Sequence, residues 1–150
     1  MVTSLSPRLS PYYLGYPWLI RGYDDGSFTS SEFLTPSGQL ATSTVFDRLF
    51  GTRLALANLE LRLPVLGPLG LVPSRGVPPV EVAAFYDAGV AWNKSEKPRF
   101  LGGTRNGVSS YGSAVRANLL GFLIAEVAFV HPNDRPGKGW YWEFNLAPGF

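Results

Sequence analysis

Apolar and polar side chains alternate along much of the chain. From Trp140 to Phe150, Trp142, Phe144 and Leu146 hold one phase, Tyr141, Glu143 and Asn145 hold the other, and the stretch ends on the aromatic Phe150. A period of two belongs to an extended strand with one apolar and one polar face. An apolar face, a polar reverse and a terminal aromatic fit a transmembrane β-barrel strand, whose outside meets hydrocarbon and whose inside meets water. An amphipathic strand of a soluble sandwich fits the alternation equally well. Pro148 departs from the pattern, because it has no ladder donor and belongs at a strand edge or end.

Four more segments carry the same period. Gly51 to Leu63 sets Ala55, Ala57, Leu59, Leu61 and Leu63 against Asn58, Glu60 and Arg62, with Pro64 expected to end the pairing. Leu54 and Leu56 fall on the polar side, which calls for a bulge or a contact with a buried loop. Val80 to Trp92 sets Val80, Val82, Ala84, Tyr86, Ala88, Val90 and Trp92 against Glu81, Phe85 and Asp87. Gly107 to Leu119 sets Val115, Ala117 and Leu119 against Arg116 and Asn118, and Phe122 to Val130 sets Leu123, Ala125, Val127 and Phe129 against Glu126. Lengths of roughly 9 to 13 residues suit a tilted membrane-spanning strand better than the shorter strands of soluble sheets. Trp92 and Trp140 stand at strand ends on one loop side, where an aromatic belt would lie.

The connections differ in kind. Leu120-Gly121 is a tight link, whereas Asn93 to Asn106 and His131 to Gly139 are polar, which matches the short turns and long outer loops of an outer-membrane barrel. Val65 to Pro79 is the exception, long and apolar where parity asks for a short turn. Tyr12 to Arg48 has no clean strand period.

Composition agrees with this picture. The 150 residues are 45% hydrophobic and only 16% charged, yet no apolar run reaches the ~18 residues of a membrane helix. Alternation is how a barrel hides its hydrophobicity. Thirteen Pro and 17 Gly cut the chain into short segments, which favours strands and turns over long helices. A net charge of +2 without a Lys/Arg cluster gives no reason to expect nucleic acid. The absence of cysteine removes disulfide and thiolate chemistry. Met1 to Pro11 lacks the apolar core of a secretory signal, so an exported protein would have to contain this chain as a fragment.

Enzyme chemistry finds little material. The one histidine, His131, precedes Pro132 in a polar stretch, and there is no Gly-x-Ser-x-Gly elbow. Gly102 to Gly107 lacks the Gly-Lys-Ser/Thr ending of a phosphate loop. Asp24-Asp25-Gly26 has too few ligands for a calcium loop and reads as a turn. No catalytic residue, metal or cofactor is expected.

Against this background Ile20-Arg21-Gly22-Tyr23 gains meaning. Together with Leu59-Glu60-Leu61-Arg62-Leu63-Pro64, Phe85-Tyr86-Asp87-Ala88-Gly89 and the aromatic terminal strand, in that order, it resembles the C-terminal barrel half of the bacterial surface antigen family, the BamA/TamA-like outer-membrane assembly factors. Each motif alone is weak; four in the family's order over residues 20 to 150 are specific.

The resemblance implies an all-β fold: part of an antiparallel transmembrane β-barrel, with residues 1–48 as an infolded loop region and 49–150 as the last five strands of a sixteen-stranded wall. Five strands cannot close a barrel, so the missing strands must come from upstream sequence or another chain. The implied location is the bacterial outer membrane. The implied partners are its lipid and unfolded outer-membrane or secreted client proteins. The implied role is insertion or translocation of proteins, the alternative being an anchoring barrel that carries a separate upstream domain. Trp142, Phe144, Leu146 and Phe150 resemble the signal by which the assembly machinery recognises barrel clients. Parity places Glu60 and Asp87 on the lumen phase, within the compass of an arginine entering from the loop. From the residues alone Arg21, Glu60 and Asp87 could be solvated separately; the resemblance implies that Arg21 bridges the two carboxylates, with Gly22 permitting a tight turn and Tyr23 packing on the lumen wall.

Overall fold

The protein is described here by a computed structural model covering residues 11–39, 41, 44–65, 79–119 and 121–148. A five-stranded antiparallel meander dominates it: β3 (Arg53–Pro64), β4 (Val80–Trp92), β5 (Val108–Leu119), β6 (Leu123–Pro132) and β7 (Tyr141–Pro148), in spatial order β3-β4-β5-β6-β7. Two short strands, β1 (Tyr12–Tyr13) and β2 (Phe50–Gly51), pair with each other and clasp the ends of the loop region. No α-helix occurs among the described residues; the loop region carries 3-10 turns at Asp25–Ser27, Ser30–Phe33 and Phe46–Leu49. The sheet is open, with β3 and β7 as its edges.

Register carries the alternation across the sheet. On one face Leu61, Ala84, Ser113, Phe129 and Trp142 form a row, and Leu63, Val82, Val115, Val127 and Phe144 form the next. This face is bare: Leu59, Leu61, Leu63, Trp142, Phe144 and Leu146 are all more than half exposed. So large an apolar surface on a sheet without a covering layer is what a bilayer covers. Near the upper end of the strands Tyr111, Phe129, Trp140 and Trp142 pack ring on ring, with centroids 4.8–5.2 Å apart, as an interfacial aromatic girdle. Trp92 contributes a second aromatic contact, edge-on to Phe100.

The reverse face is covered. Towards the upper end, Leu54, Ala91 and Val108 pack against Leu14, Ile20, Tyr23 and Leu49 of the loop region, with Phe28, Phe46 and Phe50 around them. A second cluster on the same face joins Ala83, Phe85, Ala114, Ala128 and Val130, with Tyr141 packed against it. The β3–β4 register runs without a bulge, so Leu54 is explained by the buried loop and not by a distorted strand.

Several boundaries depart from the sequence expectation. Gly51 pairs with Tyr12 instead of opening the long strand, which starts at Arg53, because the chain turns there to close the clasp. Pro64 still opposes Glu81, as a ladder end tolerates a missing donor. The β6 strand continues through His131 and Pro132, opposite Tyr111 and Ser110, so His131 belongs to the wall and not to a polar loop. Its ring lies 5.3–5.4 Å from Trp140 and Tyr111. Pro148 ends β7, as its chemistry requires. Phe150 and the apolar stretch with Leu66, Leu69, Leu71 and Val72 lie outside the described residues.

Because the bare face is read as lipid-facing, Val115→Arg should destabilise the full-length barrel in a bilayer by about 2–4 kcal/mol, although Val115 has little protein around it. Denaturant unfolding in vesicles measures this; a change near zero would mean that the face meets water.

Candidate functional site: a buried arginine under an infolded loop

The site lies where the loop touches the covered face. Nε and Nη2 of Arg21 donate to Oδ2 and Oδ1 of Asp87 at 2.8 and 2.9 Å, a bidentate fork, and the Arg21 backbone N–H adds a third bond to Oδ2 at 3.3 Å. Both residues are buried, Arg21 to 5% exposure and Asp87 to 1%. The guanidinium carbon rests 3.5 Å above the centre of the Phe85 ring, so one face of the cation is met by π density. Nη1 faces Glu60 Oε1 and Glu126 Oε2, each at 3.7 Å. Glu60 and Glu126 are shared in turn with Arg116, which reaches both, and Arg62 also holds Glu60. Three arginines and three carboxylates thus alternate across the wall. Burial works against the Arg21 charge, but the bonds and charge of Asp87, followed by Glu126 and Glu60, outweigh it and raise its pKa above the ordinary value.

Two of the sequence motifs meet residue for residue. Arg21 takes Asp87 and Phe85, while Ile20 seats its Cδ1 where a side chain at position 89 would stand; a Cβ on Gly89 would lie 2.5 Å from it. Gly89 is therefore a seat for the loop. Gly22 adopts φ +93°, a region that disfavours side chains, and a Cβ there would press on Val130 Cγ2 at 3.0 Å. Its N–H donates to Glu143 Oε2 at 2.9 Å, and Ser110 Oγ donates to the Arg21 carbonyl at 2.6 Å. Tyr23 is fully buried; its hydroxyl donates to the Ser109 carbonyl at 2.7 Å and accepts the Asp134 N–H at 3.3 Å. Asn58 bridges Asp87 Oδ1 and the Leu19 carbonyl.

The structure therefore brings Arg21, Gly22, Tyr23, Glu60 and Asp87 together, with Asp87 as the direct partner of Arg21 and Glu60 at longer range. Trp142, Phe144 and Leu146 are elsewhere, on the bare face of β7. Parity already set Glu126, Glu143, Asn58 and Arg116 on the polar phase, but nothing in their spacing tied them to Arg21.

Arg135 left no sequence signal at all. It binds Glu32 through Nε and Nη2 at 2.7 and 2.8 Å, reaches the Gly22 and Ser27 carbonyls, and stacks 3.8 Å above Phe28. It is the second arginine clamp on the loop, pulling from the β6–β7 connection. Burial pushes the Glu32 carboxyl up, but the bonds from Arg135 and Thr29 outweigh it and hold it below the ordinary glutamate range. Among the described residues no group of acidic or histidine side chains is disposed to hold a metal ion.

The arrangement is mechanical: a loop fixed by buried charge to the inner wall of a transmembrane β-barrel portion. The Omp85 superfamily domain model matches residues 1–147, and the chain belongs to the Omp85 superfamily, whose members are outer-membrane proteins. No curated protein and no solved structure matches the chain.

Arg21→Ala leaves the buried Asp87 without its cation, while Glu60 and Glu126 keep Arg116, so the loop should loosen by about 3–5 kcal/mol. Limited proteolysis of the full-length protein should then cut within residues 12–49, and Arg21→Lys should restore only part of the protection, because an ammonium lacks the planar fork. Unchanged protection in Arg21→Ala would remove the clamp.

Glu32 sets a pH limit on the second clamp. Its folded pKa is lowered, so its contribution is complete above the ordinary carboxylate value and is lost as pH falls through the lowered one. Protection of the loop tip should hold from pH 7 to about 5 and fail only below about 4; failure between pH 6 and 7 would contradict the assignment.

Proposed function

We propose that this chain forms the C-terminal part of a BamA/TamA-like barrel of the bacterial outer membrane, which assists insertion or translocation of other proteins. The observation that carries the reading is the coupling of a lipid-grade outer face to a loop pinned on the inner face by Arg21 and Asp87. A simple pore would leave its lumen open, whereas a loop held there by buried charge stiffens one wall and leaves the seam between first and last strands as the part free to work. The edges of β3 and β7 need strands supplied by upstream sequence or another chain, since an exposed hydrogen-bonding edge in lipid is strongly unfavourable. The partners on this reading are outer-membrane lipid and unfolded outer-membrane or secreted chains. The role is non-enzymatic.

Proteoliposomes containing the full-length protein test this. Folding of an added unfolded barrel client should be faster than in empty vesicles and should slow towards the empty-vesicle rate with Arg21→Ala. Equal rates with and without the protein would contradict an assembly role and leave an anchoring barrel.

A further inference from the structure

Between the rows of Tyr111 and Trp92, the connection from β4 to β5 folds over the bare face and roofs a groove of about 450 Å³. Its floor is Ala55, Ala57, Ala88 and Val90, all on the lipid-facing phase, and its roof includes Pro98 and Phe100. Small floor residues leave a slot open towards the bilayer, continuous with the apolar rows below it. Cations belong to the groove and its neighbourhood: Arg99 is part of the lining, Arg53 stands on the same face one alternation above Ala55, and the roofing connection also carries Lys94 and Lys97, all exposed. None of these four has a carboxylate partner among the described residues. Of the carboxylates there, Glu96 pairs with Arg105 at 3.7 Å, and Asp134, which lines the groove, accepts from the Ser109 N–H at 2.8 Å.

We infer that this groove is a binding site for one anionic membrane lipid, with an acyl chain in the alanine-floored slot and its phosphate on Arg53, Lys97 and Arg99. The inference goes beyond the assembly role and does not depend on it. Apolar walls alone would accept any chain; the unpaired cations at headgroup level select a phosphate-bearing lipid without a compensating cation of its own. Arg99 suits this place, since its fork can meet two phosphate oxygens while its stem lies along the apolar wall. The trapped lipid would also fill space under the roof, so the connection should be more ordered when it is bound.

Native mass spectrometry of the full-length protein in neutral detergent, titrated with phosphatidylglycerol or phosphatidylcholine, tests the site. One phosphatidylglycerol should be retained in preference to phosphatidylcholine. The triple variant R53S/K97S/R99S should weaken retention about a hundredfold. Ala88→Phe, which fills the slot and leaves the charges in place, should weaken it too; Ala57→Phe serves if that variant fails to fold. Equal retention of both lipids, or retention undiminished by a filled slot, would overturn the inference, the latter because surface charge alone would then explain binding.

Discussion

A charged guanidinium is held away from water on the inner wall of a sheet, and the loop region depends on it. Removing an ion from water costs several kcal/mol even after relaxation, so a buried arginine persists only where its surroundings return that free energy. Here they do so from three sides: a bidentate carboxylate, an aromatic face and two further carboxylates at longer range. None of these comes from the loop itself. They lie on β3, β4 and β6, so the loop position is specified by the wall, and a loop displaced by a few ångströms would bury a cation without its partners.

The rest of the inner face is arranged around that requirement. Gly89 makes a seat for Ile20, and Gly22 turns the chain so that its own N–H meets Glu143. Arg135 holds the loop from the other side through Glu32 and the Gly22 carbonyl. The outer face carries no such detail. Its leucines, valines and aromatics need only be apolar and at the correct depth, because lipid is a fluid partner. One sheet therefore shows two kinds of specification: geometric inside, compositional outside.

That difference explains what could be read from the sequence. Period-two alternation needs only local order, so all five strands, the apolar phase and the lumen positions of Glu60 and Asp87 are legible in the sequence. Leu54 and Leu56, out of phase, signalled something on the inner face, and Leu54 packs on the loop core. The pairing of Arg21 with Asp87 required the family resemblance, since 66 residues separate them and spacing across a loop carries no geometric information. The clamp by Arg135 was invisible for the same reason. Continuation of β6 through His131 and Pro132 was missed because a polar residue and a proline imitate a loop, whereas β6 ends there and its ladder tolerates both.

A double-mutant cycle on Arg21 and Asp87 in the full-length protein, read by denaturant unfolding in vesicles, bears most directly on the buried pair. Strong coupling is expected, about 2–5 kcal/mol, with the Arg21→Ala/Asp87→Ala double variant less destabilised than the sum of the two single ones. Additive effects, with coupling below about 0.5 kcal/mol, would mean that the loop is held by its apolar core alone and that the arginine does not fix it.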